Sequence, residues 1–253
     1  MGIKTVDKAL DILESFTGAD TELGVSELSR RLGINATSVY KILSTLKKRG
    51  YVRQENPKGK YRLGIRVFEL GCVFQEQSSL IRTARPFLEK LGLSCGETVN
   101  LAILSPDMTE ILYVDKIESK EVLKTDIRLG TRLPAHCTAL GKAIVAFLPP
   151  EKYAEVFPAG KPLQRLTEFS IPDPERLSSL LESVRKNGYA VDNEEFKHGV
   201  RCVAAPVKGR KGMVTAAVSI TGPASRLTSD RIEGLSCQIK ETAKLLSKAL
   251  GGF

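Results

Sequence analysis

Two short apolar-periodic stretches hinged on one glycine constrain this chain more than any other feature. Leu28 and Leu32 give an apolar edge to a short helix that Ser26 can cap. Gly33 then breaks the chain, and Ile34 can pack back. A further helix runs from about Thr37 to Lys48, with Val39, Ile42, Leu43 and Leu46 inward. Short helix, glycine-containing turn and second helix make the helix-turn-helix pattern. An earlier helix puts Val6, Ala9, Leu10, Leu13 and Phe16 on one face. Thr5 can cap that helix, and Gly18 follows its end.

Charge then says what the pattern is for. Between Arg30 and Arg66 stand eleven Lys/Arg and one acid, Glu55, a net +10, while the whole chain is +9. A local excess of that size is where a polyanion docks, and nucleic acid is the leading candidate. Everything outside the stretch sums to about neutral, as expected of a domain that touches no DNA. The outward face of the Thr37–Lys48 helix carries Thr37, Ser38, Tyr40, Lys41, Ser44, Thr45 and Lys48. Small hydroxyls let a helix sit deep in the major groove, and Ser38 and Lys41 can reach a base edge or a phosphate. The competing reading is a solvated helix face. Tyr51–Gln54 and Lys60–Leu63 alternate like two strands around Asn56-Pro57-Lys58-Gly59. Such a hairpin fits a wing whose Lys58, Lys60 and Arg62 grip the phosphate backbone without reading sequence. An ordinary surface hairpin is the alternative.

Ile65–Leu80 reads as a linker helix whose exposed apolar positions suit a dimer contact. Beyond it the elements mix. A helix is expected at about Arg82–Leu93, strands at Thr98–Leu104 and Ile111–Ile117, and a third strand at Val122–Ile127. An apolar helix follows at Ala139–Phe147, then an irregular stretch at 148–173 and a helix at Pro174–Lys186. Strands at Tyr189–Asn193, Cys202–Val207 and Val214–Ile220 precede a closing helix, Ser229–Leu250. Strands in two blocks among helices imply an α+β sheet domain. The expected organisation is 1–64 for DNA binding, 65–80 for the linker helix and 81–253 for the second domain.

Other classes are disfavoured. No apolar run approaches the ~20 residues that span a bilayer, and the N-terminus lacks a signal-peptide apolar region. The five cysteines, Cys72, Cys95, Cys137, Cys202 and Cys237, are widely spaced with no C-x-x-C, which suits a reducing cytosol better than a disulfide framework or zinc ribbon.

The residues now carry a resemblance over essentially the whole chain. LPAHCTALGKA (133–143), GYAVDNEEFKHGVRCVAAPV (188–207) and VSITGPASR (218–226) resemble segments of the IclR family of bacterial transcriptional regulators. The second matches the family's spacing at Gly188, Asp192, Glu195, Cys202 and Ala204. It departs at Lys208 and Gly209, where the family often has an aromatic and an acid. The resemblance implies a winged helix-turn-helix, a linker helix and a GAF/PAS-like mixed α/β effector-binding domain. It implies a cytoplasmic repressor or activator, a homodimer or homotetramer (dimer of dimers) on pseudo-palindromic double-stranded DNA. Carried over, Ala139, Leu140, Asp192, Cys202, Ser219 and Thr221 touch the effector. Val122, Thr125, Leu133 and Val200 form an apolar wall.

Those residue types suit a small oxygen-rich acid, such as a keto acid, sugar acid or aromatic acid. Small residues permit close approach to backbone amides, and a helix opening before Gly141 could offer free N–H groups to a carboxylate. Asp192 can accept a hydrogen bond, or donate one if burial raises its pKa. Read alone, Cys202 is a core thiol, Asp192-Asn193 a strand-end turn and Lys142 a solvated helix residue. A metal sensor using His136, Cys137, Asp192 and Cys202 is a second reading, though no ligand spacing supports it. A thiol enzyme with Cys202 as nucleophile and His136 as base is a third. No Gly-x-Ser-x-Gly, P-loop or H-E-x-x-H is present. The expectation is therefore a regulator of a catabolic operon, with no cofactor, no metal and no membrane partner.

Overall fold

The computed structural model describes residues 2–17, 20–56 and 59–252, and the chain divides into two units, 1–78 and 79–253. The first unit runs α1 (Lys4–Glu14), a 3-10 turn, α2 (Val25–Leu32), α3 (Ala36–Lys48), β1 (Val52–Gln54), β2 (Tyr61–Leu63) and α4 (Ile65–Gln77). Its core gathers Ile12, Phe16, Leu28, Ile34, Val39, Ile42 and Leu43 with Val52 and Tyr61 of the hairpin. Fully burying each Leu or Ile contributes roughly 1.5–3 kcal/mol.

The helix starts differ from the expected caps. α1 begins one residue before Thr5, with Ile3 in extended backbone and no side-chain cap. α2 begins before Ser26, at extended Gly24, whose N–H donates to Glu27 Oε2 at 2.8 Å. Asn35 caps α3 by accepting from Ser38 N at 2.8 Å. Gly33 takes φ +63°, the left-handed turn the helix-turn-helix needs. Gly18, expected just past α1, lies outside the described residues.

β1 and β2 pair antiparallel, Val52 opposite Leu63. Leu23 adds a bridge: its N–H donates to Tyr61 O at 3.0 Å and its C=O accepts from Tyr61 N at 2.9 Å. Apolar side chains are left uncovered in this unit. Val6 and Leu10, expected inward, are half exposed at 50% and 51%. α4 buries none of its residues, and Ile65, Phe68, Leu70, Val73 and Phe74 are exposed.

The second unit is built on one six-stranded antiparallel sheet, ordered β5-β4-β3-β8-β7-β6. The strands are β3 (Thr98–Leu104), β4 (Glu110–Ile117), β5 (Arg132–Pro134), β6 (Ala190–Asn193), β7 (Val200–Lys208) and β8 (Val214–Pro223). The helices are α5 (Ser79–Cys95), α6 (Ala139–Val145), α7 (Pro150–Val156), α8 (Pro174–Asn187) and α9 (Ser229–Ala249). α7 falls inside the stretch expected to be irregular. The strand expected at 122–127 does not form; the chain there is irregular, and the edge strand is β5.

Strand alternation divides the core in two. Val203, Ala205, Val207, Val218 and Ile220 face α5 and α9. Cys202, Ala204, Ala217 and Ala102 face α6 and α8. The small side chains on this second face let α6 lie close, and every residue of α6 is buried. No described helix is long and apolar enough to cross a membrane.

Candidate functional site

The first candidate surface is the outward side of α3. Thr37, Tyr40, Lys41, Ser44, Thr45 and Lys48 are exposed and Ser38 is half-buried. Thr45 Oγ1 donates to Lys41 O at 3.1 Å, so its hydroxyl is partly occupied by its own helix. Lys41 and Lys48 have no ion-pair partner among the described residues. Two of the hairpin cations are paired, Lys60 with Glu27 at 3.1 Å, and Arg62 with Glu22 and, at 3.3 Å, Glu55. Exposed pairs are worth at most ~1 kcal/mol, so a phosphate could displace these carboxylates. Lys58, expected on the wing, lies outside the described residues.

These pairs correct the charge reading. Acids just upstream of the basic stretch, Asp20, Glu22 and Glu27, fold against Arg31, Arg62 and Lys60. Counted by unit, residues 1–78 hold thirteen Lys/Arg against nine Asp/Glu, net +4, and residues 79–253 carry the other +5. The second unit is therefore not neutral; the basic signal is local to one face of the first.

The second candidate is a cavity of about 410 Å³ in the sheet unit. Strand register builds its floor. Thr98, Thr221, Cys202 and Asp192 stand opposite one another across β3, β8, β7 and β6, a single cross-sheet row. Asn100 and Ser219 pair in the next row on the same face. Asn100 Nδ2 donates to Ser219 Oγ at 3.3 Å and to Thr221 Oγ1 at 3.2 Å.

Of the residues expected to touch an effector, Thr125, Leu133, Ala139, Leu140, Asp192, Val200, Cys202 and Ser219 line this cavity. Val122 and Thr221 do not. Val122 is fully exposed, because no strand forms at 122–127 to turn it inward. Thr221 is buried behind the wall, its hydroxyl held by Asn100. Tyr113, Arg128, Thr131, Thr138, Phe196 and Lys197 line the cavity without having been expected there. Of these, Thr138, Phe196 and Lys197 stand inside the segments that carry the resemblance, a signal that could have found them.

The two sequence segments have physical reasons. Thr138 caps α6, accepting from Gly141 N at 3.1 Å and donating to Pro134 O at 3.2 Å. Gly141 presses on the preceding turn: a Cβ there would lie 2.1 Å from Ala135 O. The Ala139 and Leu140 amides, in the first turn, remain without intrahelical acceptors at the cavity wall. Lys142, read as solvated, is fully buried and ion-paired with Glu195. Glu195 is placed by the segment before α8, its C=O accepting from Ser170 Oγ at 2.7 Å and Thr167 Oγ1 at 3.2 Å. Asp192 Oδ1 closes the turn after β6 by accepting from Glu195 N at 2.8 Å and Phe196 N at 3.4 Å.

Electrostatics shift the titratable groups in and beside the floor toward their neutral forms. Burial, opposed by Lys142 and reinforced by Glu195, raises Asp192 to about 7. Burial pushes the Cys137 thiol to about 12 and Cys202 well above the usual thiol range. His136, held through Nε2 by Gln164 O at 2.9 Å, is shifted down, first by burial. Protonated, buried thiols are poor nucleophiles and poor metal ligands. Among the described residues no group of three or more His, Cys, Asp or Glu could hold a metal ion.

Comparison with known proteins agrees with both units. Residues 74–248 match the bacterial transcriptional regulator IclR C-terminal domain, and residues 5–56 match the IclR helix-turn-helix domain. The HTH-type transcriptional regulator KdgR of Escherichia coli K12 is 35% identical over 249 residues, 98% of this chain and 93% of its own length. A solved IclR transcriptional regulator from Silicibacter sp. superposes with a TM-score of 0.86 at 28% identity, covering 98% of this chain and 97% of its own. An IclR homologue from Microbacterium hydrocarbonoxydans, solved in complex with 4-hydroxybenzoate, gives 0.80 at 25% identity, covering 97% and 98%.

Proposed function

The chain belongs to the IclR family of bacterial transcriptional regulators, and on that premise we propose that it is a cytoplasmic, sequence-specific regulator of a catabolic operon, controlled by a small organic acid. That it is a DNA-binding regulator and not an enzyme follows from the family. The acid-responsive control rests on one observation: the cavity whose lining joins Asp192, Cys202 and Ser219 to Thr138, Ala139 and Leu140 at the start of α6. Raised to about 7, Asp192 can donate to a ligand oxygen in its protonated form, and the hydroxyls accept or donate. The 4-hydroxybenzoate complex of the Microbacterium homologue supports a hydroxylated acid as the chemical type.

On the DNA side, α3 enters the major groove with Ser38 and Lys41 at base edges. Thr37, Tyr40, Thr45 and Lys48 flank them, and Lys58, Lys60 and Arg62 hold phosphates. The uncovered apolar strips at Val6–Leu10 and on α4 support self-association into a dimer or dimer of dimers reading two half-sites. The effector acts by binding unequally to DNA-competent and DNA-incompetent arrangements; equal binding would shift nothing. A thermal-shift screen of small carboxylic acids on the full chain, followed by gel shifts with any binder, tests this reading. A binder must raise the melting temperature with concentration and change operator affinity. A binder that stabilises the protein yet leaves operator affinity unchanged removes the effector role.

A further inference from the structure

The cavity differs in character between its floor and its mouth. Behind the floor the buried cation Lys142 is consumed by Glu195, and the floor itself presents the Ser219 hydroxyl, the Cys202 thiol and the Asp192 carboxyl. At the mouth stand Lys124, Asp126, Arg128 and Lys197. Two of these are already neutralised: Lys124 pairs with Glu118 at 2.6 Å, and Asp126 with Lys116 at 3.2 Å. Their loop is also anchored from outside, because Arg226 donates to Leu123 O at 2.9 Å while gripping buried Glu97 at 2.7 Å. Arg128 and Lys197 have no carboxylate partner among the described residues.

Those two cations are delivered by turns of the same build. In Arg128-Leu129-Gly130-Thr131 the N–H of Thr131 donates to Arg128 O at 3.2 Å, with Gly130 at φ +82°. In Lys197-His198-Gly199-Val200 the N–H of Val200 donates to Lys197 O at 3.2 Å, with Gly199 at φ +73°. Each turn places a cation at the mouth and, three residues on, a wall residue, Thr131 or Val200. The positive φ at the third position fixes each turn geometry, so both backbones are held while the long side chains stay free to close on a ligand.

We propose that Arg128 and Lys197 form an anion subsite at the mouth, so that the effector is a small acid with a second anionic group, reaching from the polar floor to this pair. The inference rests on reading the cavity as the effector site. Its volume, about 410 Å³, exceeds what a short monoacid fills and sits in the lower part of the usual small-molecule range. Arg128 offers a bidentate fork and Lys197 a mobile point charge, a pair suited equally to a carboxylate and to a phosphate.

The test uses the full chain and two probe sets, measured by thermal shift and calorimetry. One set is butyrate, valerate and hexanoate; the other is succinate, glutarate, adipate and 3-phosphoglycerate. At least one dianion should bind roughly tenfold tighter than the monoacid of matching length. The Arg128→Gln/Lys197→Gln variant should lose that advantage, its dianion affinity falling to that of the matching monoacid, while its ligand-free melting temperature stays at the wild-type value. Whether the dicarboxylates or the phosphorylated acid gain most tells the two anion types apart. Equal affinity for both sets in the wild type, or an advantage retained by the variant, overturns the subsite and leaves the cavity reading standing. Binding by no member of either set also overturns the subsite, while the wider screen of small carboxylic acids decides the cavity reading separately.

Discussion

Replacing Lys142 with Met isolates what the buried ion pair does. In the native protein the ammonium is fully buried against Glu195, whose Oε2 has no hydrogen-bond partner even with the lysine present. Lys142→Met keeps the packing volume and strands a carboxylate whose side chain is only 10% exposed. Breaking a buried pair from one side costs about 3–5 kcal/mol, most of it the uncompensated charge. For a unit of this size each kcal/mol moves the melting temperature by about 2–4 °C, so a fall of roughly 6–20 °C is expected. The same change should push Asp192 further above its value of about 7, because Lys142 is what opposes burial there. Circular-dichroism melts of the full chain read the first effect. The double variant Lys142→Met/Glu195→Leu should recover most of the loss, because both charges are then gone. A single variant melting within about 1 °C of wild type, or a double variant less stable than the single, would refute the argument.

Four other outcomes can be checked. Lys41→Ala should weaken operator binding and relax base choice at one position by about 1–3 kcal/mol, read in gel shifts with single-pair operator variants; unchanged affinity removes α3 as the reader. Glu27→Gln frees Lys60 from its pair, so binding to any DNA should strengthen and its salt dependence steepen by about one unit of slope in anisotropy titrations. Asp192 is raised in the folded state, so its contribution to stability is present at low pH and fades as pH rises from its unfolded value of 3.8 through about 7. Asp192→Asn should therefore gain on wild type in stability between about pH 3 and about pH 8, by up to roughly 4 kcal/mol; a constant gap would show that Asp192 is not the group responsible. Gly141→Ala places a Cβ 2.1 Å from Ala135 O and should lower the melting temperature sharply, whereas Gly160→Ala, with open space around it, should cost only the strain of its φ of +73°.

Helices whose apolar faces meet within one unit were readable because periodicity alone places their side chains. Val39, Ile42 and Leu43 of α3 could face only one way, and they are buried. The same rule failed at Val6 and Leu10, since apolar spacing cannot distinguish a face covered by its own unit from one left open. Caps were misplaced at Thr5 and Ser26 for a related reason. Extended Ile3 and Gly24 let the helices begin earlier, so those hydroxyls fall inside the first turn. The strand expected at 122–127 had suitable residues and no neighbour to pair with, because β4 takes 132–134 as its edge partner instead.

At the cavity the division is between residues placed by local pattern and residues placed by distant partners. Asp192, Cys202 and Ser219 share a face because β6, β7 and β8 pair in register, and strand alternation then requires it. Lys142 is different. A lysine in a short helix reads as solvated, and only Glu195, 53 residues later, makes its burial tolerable. Arg128 and Lys197 stand still farther apart in sequence and come together only in the lining of one cavity. A charge count over a sequence window fails in the same way. The stretch from Arg30 to Arg66 is strongly basic, yet Glu22 and Glu27, outside it, fold back onto Arg62 and Lys60. The basic character that matters for DNA is what remains unpaired, and it lies on α3 at Lys41 and Lys48 more than on the described part of the wing.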